Sequence, residues 1–493
     1  MPRGPQVGPG QGRIPVPDTD DGRPRWALVA VAGALSFIAM LDMNIVNVAL
    51  ADIAAGFEVA PATAQWAVLG YQLPVVALLL PAGRWLDSVG YGGMRPALLA
   101  ATGGFALCSL LAALAPWVAW LVVARIAQGA FGAVLFVLMP VLVIRSVPPE
   151  MRGRAMSVPA TLGPLGAVTG PAVGGVLLDA FGWHAVFLVK LPFCLAAMAV
   201  AYRCLPLAGR LRTPDRRHVA DAALAGTALT ALLLALTLAP DTPVWLLLGL
   251  AALPPLWWWL RGPGGRQVTG VLRAAGTYGV HAAVLALAAA FAAMQYTVAL
   301  RLQQGDGFSA TATGLTVLAF PLAMGLAGPL GGRLADRWGA RPTAIVGAAM
   351  TAAGLGLLVP FGDGWGAYDV AWRLAVAGGG MGLYGGPTQS LVMGAAPPEA
   401  AATAGSAVQS ARSLGFALGP AVAAATWGLA AYGTGGGSGE GAAEGAGDGT
   451  GARWALALAA LAAALAVGLL ARHRPPVRTS PGATVAAAPA AEG

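Results

Sequence analysis

Charged side chains are scarce in this chain, and lysine is almost absent. Of its 493 residues only 10% are Asp, Glu, Lys or Arg, whereas 57% are apolar, and the mean hydropathy is +0.70. A chain this long and this apolar does not cover its hydrophobic surface within one water-soluble core. The shortage of charge therefore excludes an ordinary soluble domain and indicates a membrane protein.

Side chains that usually carry enzyme chemistry are also few. The three cysteines, Cys108, Cys194 and Cys204, lie inside apolar stretches, where they behave as small buried hydrophobes and are not placed for a disulfide. The four histidines are scattered, with no metal-ligand spacing and no pairing of a nucleophile with a base. These absences predict a protein that is not an enzyme and that needs no metal or other cofactor.

Long apolar segments recur along the whole chain, and each is long enough to cross a bilayer as a helix. Hydropathy predicts an all-α membrane protein with about fourteen spans. The predicted spans are residues 26–50, 62–81, 96–115, 117–144, 155–178, 185–204, 219–240, 243–260, 276–300, 311–331, 342–361, 370–394, 402–430 and 453–471.

Arginines concentrate in every second connection between these spans. Those connections hold most of the 29 Lys and Arg residues, whereas the alternate connections hold mostly acids. This asymmetry follows the positive-inside rule and predicts that both termini are cytoplasmic. It also accounts for the net charge of +8, so the expected surroundings are a lipid bilayer and no nucleic-acid partner is predicted.

One short pattern occurs twice and divides the chain into related halves. Gly-Arg-x-x-Asp-x-x-Gly stands at residues 83–90 and again at 332–339, each time as a polar turn between two predicted spans. Such a repeat is typical of transporters built from two membrane halves. We expect each aspartate to bond arginine or exposed N–H groups of a neighbouring helix and so latch one side of the protein. The predicted latch residues are Gly83, Arg84, Asp87, Gly90, Gly332, Arg333, Asp336 and Arg337.

Small residues form a stripe in the fifth predicted span. Gly166, Gly170 and Gly174 recur every fourth residue, with Gly175 beside them, so one helix face lacks side chains. Helices can approach closely there, and Pro171 removes one backbone hydrogen bond and bends the helix. We expect a hinge at the interface of the two halves; ordinary small-residue packing is the alternative.

Two opposite charges are predicted at similar depths in the membrane. Asp42 lies in the first span and Arg125 in the fourth, and helix geometry allows their depths to differ by only about 6 Å. We expect Asp42 to accept a proton or substrate and Arg125 to tune it, with Gln128 on the same helix face. A purely structural ion pair, or an arginine bonded to carbonyl groups, is the alternative.

Two further cations fall inside predicted spans. Lys190, the only lysine, lies in the sixth span, and Arg412 lies near the middle of the thirteenth. If both face the transport cavity, its surplus of positive charge favours neutral or weakly anionic substrates. Alternatively, Lys190 extends to the outer interface and Arg412 bridges helices as a structural residue, which leaves the cavity nearly neutral.

Four motifs together give the chain a specific resemblance. They are LDMNIVNVAL at 41–50, the first Gly-Arg-Asp turn at 83–90, RIAQG at 125–129 and GAVTGPAVGG at 166–175. In order and spacing they resemble the fourteen-spanner drug:proton antiporter family of the major facilitator superfamily. Where that family usually has asparagine, this chain has Lys190. The first Gly-Arg-Asp pattern, at 83–90, also lacks basic residues that are common in that family, which predicts a weaker latch in the first half.

The resemblance implies a major facilitator fold of two six-helix bundles plus two extra transmembrane helices. The bundles are expected at 26–204 and 276–472, with the extra pair at 219–261 and a cytoplasmic linker at 205–218. Three polar or low-complexity segments are expected to be disordered. These segments are residues 1–25, 433–451 and 473–493.

The resemblance also implies a function. We expect a monomeric, multi-pass protein of the bacterial plasma membrane that exports a small amphipathic organic compound, an antibiotic or secondary metabolite, in exchange for protons. No cofactor is implied, because the proton gradient drives transport. A coupled importer of a metabolite and a transport-inactive membrane sensor are the alternatives.

Overall fold

The computed structural model describes residues 25–205, 213, 215–238, 243–305, 307–362, 364–433 and 450–473. All regular secondary structure in these ranges is helical, as the sequence predicts. The segments expected to be disordered lie outside the described residues except at their edges, and so does most of the predicted linker. Three of these edge residues are helical, at positions 433, 450 and 451.

Helices occupy every predicted span, because an apolar segment in lipid must satisfy its backbone hydrogen bonds internally. Within the described ranges, eleven helical segments are long and apolar enough to cross a membrane. The first half contains α1 (Trp26–Val48), α2 (Leu50–Gly56), α3 (Pro61–Ala64), α4 (Trp66–Val89), α5 (Met94–Ala113), α6 (Val118–Ser146), α7 (Arg152–Phe181), α8 (Trp183–Leu188) and α9 (Leu191–Cys204).

The remaining helices form the inserted segment and the second half. The inserted segment contains α10 (Arg216–Leu238), α11 (Leu247–Ala251), α12 (Leu253–Arg261) and α13 (Pro263–Ala274). The second half contains α14 (Tyr278–Leu300), α15 (Ala310–Val317), α16 (Ala319–Trp338), α17 (Ala340–Leu358), α18 (Ala367–Ala395), α19 (Ala401–Gly433) and α20 (Thr450–Arg472). The eighth predicted span, 243–260, is not one continuous helix, since Pro254 and Pro255 start a new helix at α12.

The two Gly-Arg-Asp patterns are helical, which corrects the prediction that they form turns. Both lie in the last turns of α4 and α16, and only the closing glycine leaves the helix. Gly90 and Gly339 adopt φ of 68° and 96°, a left-handed conformation that favours glycine at a helix end. We call the end of the molecule that carries residues 83–90 and 332–339 the basic end.

The apolar core is divided between two bundles. One core lies among α1, α4, α5, α6 and α9, and another among α14, α17, α18 and α20. A smaller cluster packs the inserted helices against both halves, with Ala225 and Trp259 beside Leu80 of α4 and Ala407 of α19. The inserted segment therefore lies beside the junction of the two bundles.

The glycine stripe of α7 packs against α1 of its own bundle, so the prediction that it lies between the halves is wrong. Gly166 contacts the backbone of Phe37. A Cβ at Gly170 would lie 3.2 Å from the backbone nitrogen of Ile45, and one at Gly174 would lie 3.3 Å from the Ile45 carbonyl oxygen. The absence of side chains therefore lets the backbones of α1 and α7 pack in direct contact.

A different face of α7 meets the second half. A Cβ at Gly325 of α16 would lie 3.2 Å from Leu165, and Gly328 contacts Thr161. Thus α7 contacts α1 along one face and α16 along another. It connects the two bundles without using its glycine stripe.

Gly170→Leu tests the close contact of α1 and α7, and Gly175→Leu is its matched control. The first change forces a branched side chain into backbone of α1, and overpacking of this kind costs about 1–3 kcal/mol. A Cβ built at Gly175 would meet no atom of another helix within 4 Å among the described residues. We expect only Gly170→Leu to lower the thermal unfolding temperature in detergent and to reduce transport. Equal behaviour of the two variants would contradict a tight contact at Gly170.

Candidate functional site

Three charged side chains meet inside the first bundle. Asp42 of α1 accepts a hydrogen bond from Arg125 of α6 at 2.8 Å through Oδ2, and its Oδ1 bonds the ammonium group of Lys190. The exposed fractions of these side chains are 0% for Asp42 and Arg125 and 1% for Lys190. We call them the buried triad. It contains one negative and two positive groups.

Lys190 occupies the break between α8 and α9. Pro192, near the start of α9, cannot supply the backbone N–H that a continuous helix would need. The break directs the lysine side chain towards α1, and its ammonium lies 5.0 Å from the centre of the Phe187 ring. The alternative in which Lys190 extends to the outer interface does not describe this structure.

Arg125 makes most of the other contacts of the triad. Its Nε donates to the Ala67 carbonyl at 2.8 Å, and its Nη1 also donates to Gln128 Oε1 at 2.7 Å. The guanidinium carbon lies 4.4 Å from the centre of the Tyr71 ring, a cation–π arrangement. Arg125 thus both pairs with Asp42 and donates to a backbone carbonyl group.

Three buried polar atoms around the triad lack a hydrogen-bond partner among the described residues. They are Tyr71 Oη, Arg125 Nη2 and Gln128 Nε2. Buried donors usually find partners in protein or in ordered water. Donor capacity therefore remains beside the charged groups.

A cavity of about 140 Å³ lies between the two bundles. Helices α1, α6 and α7 line one side and α14, α16, α18 and α19 the other. Five of its lining residues are methionines, whose flexible side chains adapt to varied ligands. They are Met40, Met139, Met156, Met324 and Met381.

Arg412 is the single charged side chain among the residues that line the cavity. Its Nη1 lies 3.3 Å from Gln409 Oε1 on the same helix, and no ion pair within the described residues involves it. It does not bridge helices, and it faces the cavity together with Tyr384 and Gln389. The buried triad, in contrast, does not line this cavity.

Each Gly-Arg-Asp pattern bonds the opposite half at the basic end. The Asp87 carboxylate accepts hydrogen bonds from Ala402 N and Thr403 N, both at 2.9 Å, and from Thr403 Oγ1 at 2.6 Å. These groups lie in the first turn of α19, where backbone N–H groups have no partner within the helix. The carboxylate also interacts favourably with the positive end of the helix dipole.

The second pattern repeats the same geometry with the halves exchanged. Asp336 accepts from Gly153 N at 2.8 Å and Arg154 N at 3.2 Å, in the first turn of α7. Arg154 adds an ion pair at 3.3 Å, although its side chain is 52% exposed. Both carboxylates thus have three donors, and the first copy is not poorer in donors than the second, contrary to expectation.

The glycines that open the two patterns permit this contact. Gly83 packs on Ala402 and Ser406 of α19, and Gly332 packs on Gly153 and Arg154 of α7. Any side chain at either glycine would push the bundles apart. By contrast, Arg333 and Arg337 of the second pattern are exposed.

Arg84 makes a connection that the sequence did not reveal. Its guanidinium forms an ion pair with Asp221 of α10, and its Nε donates to Gln267 of α13 at 2.9 Å. The first pattern is therefore joined to the inserted helices. The available signal was Asp221 itself, the one acidic residue within the helix α10.

Fold and sites together define a membrane transporter with two bundles around a central cavity. The chain matches the family model described as Major Facilitator Superfamily over residues 32–420 and 282–492. It belongs to the major facilitator superfamily.

Curated relatives support the same membership. A "Probable actinorhodin transporter" of Streptomyces coelicolor is 30% identical over 81% of this chain and 72% of its own length. The "Tetracenomycin C resistance and export protein" of Streptomyces glaucescens is 30% identical over 81% and 75%. "Multidrug resistance protein Stp" of Mycobacterium tuberculosis is 29% identical over 78% and 73%.

A solved structure shows the same fold at low identity. The human organic anion transporter MFSD10 superimposes with a TM-score of 0.60 at 17% identity, over 90% of this chain and all of that one. This likeness supports the fold alone.

Removal of the two latch carboxylates should open the basic end. Loss of hydrogen bonds to a charged group costs about 1.5–3 kcal/mol at each site, enough to shift a two-state equilibrium about tenfold or more. We expect Asp87→Ala combined with Asp336→Ala to lengthen the distance between spin labels placed at Ser88 and Glu399, measured by pulsed EPR. Asp179→Ala, which removes an exposed carboxylate at the far end of α7, is the control. An unchanged distance distribution would show that these carboxylates do not hold the basic end closed.

Proposed function

We propose that the protein exports a small amphipathic organic compound, neutral or weakly anionic, in exchange for protons. The observation that carries the proposal is the cavity between the bundles, with Arg412 as its single charged lining residue. A cation would lose water there without meeting a negative side chain, which is unfavourable. A neutral or weakly anionic compound avoids this cost.

The lining of the cavity supports an organic substrate of variable shape. Five methionines and Phe136 and Phe416 supply apolar surface, while Gln389, Gln409 and Tyr384 supply hydrogen-bonding groups. A mostly apolar lining with a few placed polar groups is typical of small-molecule sites. Phenolic or carboxylate-bearing natural products, polyketides among them, fit this chemistry.

The direction of transport and its energy source rest on two further observations. Relatives over most of the chain are named as a probable actinorhodin transporter, as a tetracenomycin C resistance and export protein and as a multidrug resistance protein. The buried triad supplies ionisable groups within the membrane, and such groups usually mark proton or substrate pathways. The basic end, with its arginines, is expected to face the cytoplasm.

Asp42→Asn tests proton coupling. The change removes the single negative charge that faces Arg125 and Lys190, so the triad can no longer hold a balanced set of charges. We expect pH-gradient-driven efflux from proteoliposomes to fall to background, and the unfolding temperature to fall as well. Efflux is normalised to correctly folded protein measured by size-exclusion chromatography.

Asp52→Asn is the matched control, because Asp52 is an exposed carboxylate on α2. It should leave efflux unchanged. Full efflux by well-folded Asp42→Asn would remove the proposed role of the triad. Wild-type uptake driven towards the cytoplasm would instead favour a coupled importer.

Arg412→Gln tests the substrate class. Without the guanidinium, export of a carboxylate-bearing compound should fall about tenfold or more, since charge-assisted hydrogen bonds contribute about 1.5–3 kcal/mol. Export of a neutral compound should change little. Susceptibility of a pump-deficient host to paired anionic and neutral compounds provides the measurement.

Two controls accompany this variant. Arg412→Lys keeps the charge and should retain anion export, and Arg273→Gln removes an exposed arginine of α13 and should have no effect. Strong export of quaternary ammonium dyes, unaffected by Arg412→Gln, would contradict the proposed substrate class.

A further inference from the structure

The two cations of the buried triad compete for one carboxylate. Asp42 uses Oδ2 for Arg125 at 2.8 Å and Oδ1 for Lys190. Both oxygens therefore face cations, and a proton added to either would displace a bonded N–H. Protonated Asp42 would also leave two positive groups buried together without a counter-ion, which is strongly unfavourable.

Of the other two members, only Lys190 can lose a proton under biological conditions. A guanidinium stays protonated in proteins, whereas a lysine ammonium in a buried site can become a neutral amine. Loss of that proton leaves Asp42 and Arg125 as a balanced pair. The amine can still donate a hydrogen bond to Asp42.

The helices packed around Lys190 carry few groups that could stabilise its ammonium. Among the surrounding ionisable groups, Asp42 is the only buried carboxylate, while Asp179 and His184 are exposed. Away from the basic end, the ionisable groups on these helices are Asp42 (α1), Tyr71 (α4), Cys108 (α5), Arg125 (α6), Asp179 (α7), His184 (α8) and Cys194 (α9). The other ionisable groups on the same helices lie towards the basic end: Arg84, Asp87, Arg95, Arg145, Arg152, Arg154, Tyr202, Arg203 and Cys204. The site therefore holds one surplus positive charge whenever Lys190 is protonated.

We propose that Lys190 is the proton-carrying group of this transporter and that Asp42 stays ionised as its fixed counter-ion. This inference rests on the proposed proton coupling and assigns its proton to one atom. One Nζ–H bond breaks, nitrogen keeps the electron pair, and the proton passes to water. The triad thereby changes from net positive to neutral, and the reverse step restores it.

The unpartnered polar atoms support this route. Tyr71 Oη, Arg125 Nη2 and Gln128 Nε2 are buried around the triad and lack partners in the described part of the chain. Water that enters at these atoms can satisfy them and exchange a proton with Lys190. The triad does not line the substrate cavity, so proton and substrate use separate sites.

The chain offers a direct test, because Lys190 is its only lysine. Protein labelled with 13Cε-lysine gives one side-chain signal, whose chemical shift reports protonation of the adjacent nitrogen. We expect this signal in proteoliposomes to move across the pH range in which wild-type transport is pH-dependent. Infrared difference spectra over the same pH range test whether Asp42 takes up a proton. A protonated-carboxyl band of Asp42 would be present in the wild-type protein and absent from Asp42→Asn, and we expect no such band.

Lys190→Arg provides the functional arm. It keeps the positive charge but cannot release a proton, so substrate counterflow, which needs no net proton movement, should persist. Proton release on substrate binding and pH-gradient-driven efflux should both be lost. Lys190→Gln, the neutral counterpart, should likewise bind substrate without releasing a proton, and it keeps this arm informative if the arginine does not fit.

The outcomes separate the two proposals. Wild-type protein without any proton coupling would overturn the proposed function. Coupled wild-type protein with a static lysine signal, or with a carboxyl band assigned to Asp42, would overturn the role of Lys190 alone. An unchanged ratio of protons to substrate in Lys190→Arg would overturn it as well.

Discussion

The cost of charge inside a bilayer is the constraint that organises the first bundle. Asp42, Arg125 and Lys190 are fully or almost fully buried, and each would be expensive without the others. Their contacts fix the relative positions of α1, α6 and the break between α8 and α9. Two cations face one carboxylate, so the buried triad carries a surplus positive charge when all three groups are ionised.

Helix α1 contributes to both the triad and the cavity between the bundles. Ser36 and Met40 line the cavity, while Asp42 lies half a turn further along and faces into the bundle. The triad and the cavity wall therefore share one continuous helix. The close glycine contacts pack this helix against α7, which also lines the cavity.

Much of this architecture follows from the sequence, and the remainder depends on helix rotation. Hydropathy located the spans, and depth arguments paired Asp42 with Arg125. Depth does not specify which way a side chain points around its helix axis. For that reason the pairing of Lys190 with Asp42, the partner of the α7 glycines and the contact of Arg84 with Asp221 required the structure. Bonding of Asp87 and Asp336 to a neighbouring helix was predictable because a carboxylate at one helix end complements the unpaired N–H groups at the start of another, whereas the partner helices required the structure.

The latch and the triad differ in how easily water can replace their contacts. Asp87 and Asp336 lie half-buried at the basic end, where water can substitute for the backbone donors and keep the net cost of opening modest. The triad is buried from water, so its contacts are not replaced in this way. Helix α7 connects them, because it packs on Ile45 beside the triad through Gly170 and supplies Gly153 to Asp336 at its other end. One helix, α7, therefore contacts both the neighbourhood of the triad and Asp336 at the basic end.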